Sequence, residues 1–216
     1  MPDVQNKKRK AIYVFIDASN LFYEGEKSLG WKIDYKKLYV YLHKKYQASK
    51  IFYFGGVEIH NYQYDYLAND TVPIFKLKLY LEGLLKNKTK SLSRDNLDLI
   101  NKHLQRISFY AKLSTFGYEL FLKPVKLYNL GDGLMKRKAN CDVDMSFQIM
   151  KVVDNFDMVI FLSGDGDFLP ILKYLRKIGK EVIVLSRGPR TAKEIKQLAG
   201  GNFRDFEYIR KYIEYK

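Results

Sequence analysis

The chain is poor in the residues that build covalent or soft-metal sites. One cysteine, Cys141, stands in 216 residues, which excludes an internal disulfide and a cysteine-rich zinc site. Histidine is nearly as scarce: His43, His60 and His103 are scattered and make no metal-ligand spacing. Acid is in deficit, with 24 Asp and Glu against 38 Lys and Arg. No apolar run approaches the roughly 20 residues needed to cross a bilayer. Nor does an apolar signal segment follow the polar start MPDVQNKKRK, because the run at 11–16 is short and ends in Asp17. A soluble, cytoplasmic protein without membrane contact is expected. No repeat or low-complexity segment is present.

Several phosphate and calcium motifs are missing too. Gly179-Lys180 is followed by Glu181, so there is no P-loop, and no Gly-x-Gly-x-x-Gly follows the first strand. Asp165-Gly166-Asp167 is not an EF-hand loop, since Leu169 and Arg176 stand where oxygen ligands are required.

What is present is a large core and a strong positive charge. Hydrophobic residues make up 47% and aromatics 15% of the chain, enough for one sizeable α/β domain over residues 11–216. A formal charge of +14 attracts polyanions, nucleic acid first. Residues 1–10 read as a basic flexible tail.

Short apolar runs at 11–16, 50–57, 158–162 and 180–186 read as buried strands, and the helical patterns between them imply parallel pairing. A helix is expected from Leu21, and a second over residues 35–45 capped by Asp34. Residues 58–116 read as a mainly helical insertion. Its tyrosines, Tyr62, Tyr64 and Tyr66 among them, suit a helix, a polar break falls at 87–94, and a further helix starts at Asp95. Exposed aromatics there suit a homodimer contact as well as RNA. Residues 118–128 alternate as a strand bent at Pro124. Residues 129–140 read as a Gly-rich basic loop, with Asn140 capping a helix from Asp142. Asp167 and Thr191 are expected to cap the helices that follow them, with a short last strand near 203–208 and a terminal helix over 209–215.

Three places put acid where a parallel sheet presents its carboxyl edge: Asp17, Asp142 with Asp144, and Asp165 with Asp167. In open α/β sheets ligands bind at that edge. Converging carboxylates repel one another unless a cation compensates. Hard oxygen ligands without Cys or His suit Mg²⁺ or Mn²⁺. The neighbouring loops are basic, with Lys136, Arg137, Lys138, Arg187, Arg190 and Lys193. Acid in the pocket with base around it suits metal-dependent cleavage of a phosphodiester. Asp144 lies two residues beyond Asp142, about 200° away round a helix, and so is placed to cap or to pair with a base instead. Cys141 has no histidine beside it in sequence and reads as a small buried hydrophobe.

FIDASN at 15–20, KANCDVD at 138–144 and LSGDGDF at 162–168, in this order, resemble the NYN domain of the PIN-like nuclease superfamily. The resemblance spans residues 11 to 206 and is least specific over 58–116. It implies a PIN-like, Rossmann-like three-layer α/β/α sandwich with a mainly parallel central sheet, and Mg²⁺- or Mn²⁺-dependent RNA cleavage. On the matching positions, Asp17, Asp142, Asp165 and Asp167 are the acidic, metal-holding and catalytic residues. Asn20 steadies the pocket, and Ser163 lies beside it as a hydrogen-bond donor.

Two rival readings remain at this level. A haloacid-dehalogenase-like phosphatase also puts Asp after its first strand, but needs another Asp two residues on, where this chain has Ser19. A catalytically silent RNA-binding or regulatory module would keep the basic surface and leave the acids idle.

Overall fold

A computed structural model describes residues 11–21, 27–88, 93–129 and 135–216. The expected tail at 1–10 and most of the helix expected from Leu21 lie outside the described residues. Among the described residues, six strands form one all-parallel sheet: β1 (Ile12–Asp17), β2 (Lys50–Val57), β3 (Glu119–Pro124), β6 (Met158–Leu162), β7 (Glu181–Ser186) and β8 (Phe203–Asp205). Their spatial order is β3-β2-β1-β6-β7-β8. The chain therefore builds leftward from β1 and then returns to its other side. The crevice between β1 and β6 is the point at which the strand order reverses.

Period-two alternation divides the core between the two faces. On one face Val14, Ile16, Ile51, Tyr53, Ile160 and Ile183 pack under the helices α2 (Tyr35–Tyr46), α4 (Arg94–Phe116) and α8 (Phe206–Ile213). On the other face Phe15, Phe52, Phe54, Val159, Phe161 and Val184 pack under α5 (Asp142–Lys151), α6 (Leu169–Lys177) and α7 (Lys193–Ala199). The result is a three-layer α/β/α sandwich. A helical turn, α1 (Lys27–Leu29), precedes α2. The side chain of Asp34 caps α2 by accepting from the Lys37 amide.

Two helices, α3 (Ile74–Lys88) and α4, occupy the expected insertion. Tyr62, Tyr64 and Tyr66 lie outside both, in irregular chain. Their rings pack pairwise, Tyr62 on Tyr80 and Tyr64 on Tyr66, so apolar spacing there reflects packing and not a helical period. Pro124 ends β3, an edge strand where its missing N–H costs no ladder bond.

The expected loop at 129–140 is partly a strand. β4 (Lys126–Asn129) and β5 (Met135–Lys138) form a separate antiparallel pair. The basic residues had hidden its strand character.

Candidate metal centre

The acids are delivered by three different element ends. Asp17 is the last residue of β1, Asp142 the first of α5, and Asp165 and Asp167 belong to the turn after β6. Helix α5 starts at the carboxyl edge, because it runs antiparallel to the strand that follows it. Ile16 pairs with Leu162 across the β1–β6 boundary, which sets Asp17 beside Ser163.

Carboxylate oxygens of Asp142, Asp165 and Asp167 lie within 4.8 Å of one another. Among the described residues they are the only acidic, histidine or cysteine group of three or more so arranged. The set suits a hard divalent cation: all donors are oxygen, and the exposed Asp167 leaves room for water. Without a cation the three charges repel one another.

Asp17 is not part of that trio. It lies underneath, only 4% exposed, in a ring of donors. Its Oδ1 accepts from the Ser19 amide at 3.0 Å, the Ser19 hydroxyl at 2.7 Å and the Asn20 amide at 3.3 Å. Its Oδ2 accepts from the Ser163 hydroxyl at 3.2 Å. Burial pushes the Asp17 carboxyl above the usual carboxylate range, and these hydrogen bonds oppose the push. The Ser163 oxygen in turn accepts from the Asp165 amide at 3.2 Å, and Asn20 accepts from the Gly164 amide at 3.0 Å. The end of β1 thus holds the turn after β6 through two side chains.

That turn is tighter than the sequence implies. Asp165, not Asp167, is the cap: its Oδ1 accepts from the Asp167 amide at 3.0 Å and opens a 3₁₀ turn at Gly166–Phe168 before α6. Gly164 is required by close approach, since a Cβ there would stand 2.9 Å from the Thr191 Cα. Thr191 does not cap α7 either. Its hydroxyl donates to the Arg187 carbonyl, and Ala192 occupies the cap position without a side-chain bond. At α5, Asn140 accepts from the Asp142 amide at 3.0 Å, while Cys141 takes the cap position itself.

The remaining expected residues divide. Asp144 turns away from the trio and pairs with Lys123. Arg187 donates to Asp205 at 3.1 Å, half-buried, so it clamps its own turn. Arg190 and Lys193 stand on the exposed surface. The side chains of Lys136, Arg137 and Lys138 lie outside the described residues. The Cys141 thiol is pushed up to about 12, first by burial and then by Asp144, Asp17 and Asp142, which favours the neutral thiol.

Two residues near the site were not anticipated. Ser19 supplies two of the bonds to Asp17, and the Asp-x-Ser spacing is the available signal, since such side chains bond locally to backbone and hydroxyl groups. Glu194 lies against Gly166, its carboxylate oxygen 2.5 Å from where a Cβ would be. Nothing in its local sequence marks it.

The chain is 28% identical over 109 residues to the low amplitude and bright protein LabA of Synechococcus elongatus, a match covering 49% of this chain and 58% of that one. The chain therefore spans little more than half the length of this curated relative. A crystal structure of a protein of unknown function from Vibrio parahaemolyticus shares the fold, with a TM-score of 0.64 at 17% identity over 98% of this chain and 99% of that one. A zinc-bound T5 5′-exonuclease is less similar, with a TM-score of 0.43 at 15% identity, covering 86% of this chain and 60% of that one. The sequence profile of the NYN domain matches residues 11–207. With nearly the whole sandwich inside that match, the chain belongs to the NYN domain family.

Proposed function

We propose that the protein is a metal-dependent ribonuclease acting at the carboxyl edge of its parallel sheet. The observation that carries this reading is the trio Asp142, Asp165 and Asp167, with oxygens within 4.8 Å at the topological switch point of an NYN fold. These three would hold Mg²⁺ or Mn²⁺, with Asp17 adding its charge from below. A bound ion there supplies charge neutralisation and a more acidic water.

The chain's own residues have separate tasks. Asp17, through Ser163 and Asn20, fixes the turn that presents Asp165 and Asp167. Asp167, the most open of the acids, accepts a proton from the attacking water. That water forms a new bond to phosphorus as the bond to the 3′ oxygen breaks, giving a 5′ phosphate and a 3′ alkoxide that takes its proton from solvent water. Arg190, Lys193 and the basic run Lys136–Lys138 draw the RNA backbone in. The protein would work in the cytoplasm on single-stranded or structured RNA.

The test is cleavage of labelled single-stranded RNA with Mn²⁺, Mg²⁺ or EDTA, comparing wild type with an Asp17→Asn, Asp165→Asn double variant. Cleavage by the wild type alone, lost in EDTA, is expected. A thermal shift with Mn²⁺ in wild type, reduced in Asp165→Asn, is the readout independent of turnover. RNA binding without cleavage, equal in both proteins, would instead mark a non-catalytic binding module.

A further inference from the structure

A second feature opens from the same sheet edge. A cleft of about 880 Å³ runs between α4 and the segment 32–36 that opens α2, starting at Ala18, the residue after Asp17. This is at the top of the size range for small-molecule sites. Tyr53 and Tyr110 line it as buried residues, and the Tyr110 hydroxyl donates to the Gly56 carbonyl at 2.7 Å, tying α4 to the carboxyl end of β2. Above them Tyr35, Phe109 and Phe116 are half-buried and line the cleft. Tyr35 and Phe109 meet edge to face, centroids 5.1 Å apart.

The rim is cationic on both sides. Lys36 projects from α2, and Lys102, Arg106 and Lys112 from α4, all exposed. The carboxylate lining the cleft, Asp34, is engaged as the cap of α2.

We infer that this cleft binds single-stranded nucleic acid, as a lane that holds the strand beside the acid cluster. The cations recognise phosphates along the rim, and the half-buried rings of Tyr35, Phe109 and Phe116 stack unpaired bases. A duplex keeps its bases stacked on one another and cannot offer them to these rings. A small anionic metabolite would leave most of the cleft and its cations unused. An acidic peptide matches the charge but not the rings. The inference rests on the ribonuclease reading for the identity of the polyanion, while the cleft itself stands independently of the metal centre.

The experiment is fluorescence anisotropy of the full chain with a labelled single-stranded RNA of about 15 nucleotides, in EDTA, at about 50 and 200 mM salt. Lys36→Glu with Lys102→Glu should weaken binding at least about tenfold and reduce the salt slope by about two. Phe109→Leu, which keeps apolar bulk but loses the flat ring, should weaken it about fivefold. Unchanged binding in the double variant, or a poly-glutamate peptide competing as well as RNA, would overturn the inference. The two readings separate cleanly. Strand binding lost in the double variant, with no cleavage by wild type in Mn²⁺, removes the ribonuclease and keeps the cleft. Cleavage with binding unaffected by these variants does the reverse.

Discussion

The two faces of the sheet solve the same packing problem with different chemistry. One face is mostly phenylalanine, with Tyr13 its one buried tyrosine: Phe15, Phe52, Phe54 and Phe161 are each at most 1% exposed, with Phe15 stacked on Phe52 at 4.9 Å and Phe54 on Phe121 at 5.0 Å. The other face carries tyrosine, and its hydroxyls must find partners when buried. Tyr110 reaches the Gly56 carbonyl and Tyr118 the Tyr35 carbonyl, both at 2.7 Å. The dry face supports α5, α6 and α7, which frame the acidic trio. The hydroxylated face supports α2 and α4 and leaves a cleft between them. A face with few polar groups packs closely and holds the ends of its helices in place. A face with polar groups tolerates an opening to water.

This contrast can be broken from either side. The largest effect is expected from Phe15→Ala, which removes a fully buried ring from the dry face and should cost about 3–5 kcal/mol in urea or thermal unfolding. Asp165→Asn should leave unfolding in EDTA no weaker than in wild type, because it relieves repulsion. The same change should lower metal-dependent cleavage roughly 100-fold or more. Gly164→Ala places a methyl against the Thr191 backbone and should cost about 1–3 kcal/mol through overpacking, shifting the turn that carries Asp165. Tyr110→Phe leaves the Gly56 carbonyl without its donor and should cost about 1 kcal/mol, seen as a small fall in the denaturation midpoint. Least is expected from Lys123→Gln. It breaks an ion pair whose partners are 39% and 46% exposed, worth under about 1 kcal/mol. A loss from Tyr110→Phe as large as that from Phe15→Ala would show that the hydroxyl face is as tightly coupled as the dry one.

The strands were legible almost to the residue, because β1, β2, β6 and β7 are continuous apolar runs whose burial on both faces leaves little alternative. Helix α2 was legible from its Asp34 cap and one apolar stripe. Caps after the later strands were not. Asp167 and Thr191 have the right residue types, yet a 3₁₀ turn and a hydroxyl bond to the Arg187 carbonyl intervene, and short-range hydrogen bonds of this kind compete closely with capping. On α5 apolar residue type does not decide burial: Met145 and Ile149 are buried, while Val143 and Phe147 are mostly exposed. The β4–β5 pair was hidden because Lys and Arg carry little strand signal.

The sequence by itself determined that acid follows strands at three places, that cysteine and histidine are scarce, and that the chain carries an excess of positive charge. Those are local or compositional properties, readable without knowing which strands are neighbours. Only the tertiary structure decided that Asp142, Asp165 and Asp167 converge while Asp17 sits beneath them and Asp144 turns to Lys123. It alone placed the start of α2 opposite α4 as the walls of a basic, ring-lined cleft. The physical reason is strand order: placing β6 beside β1 brings residues more than a hundred positions apart into hydrogen-bond range, and no local pattern encodes that adjacency.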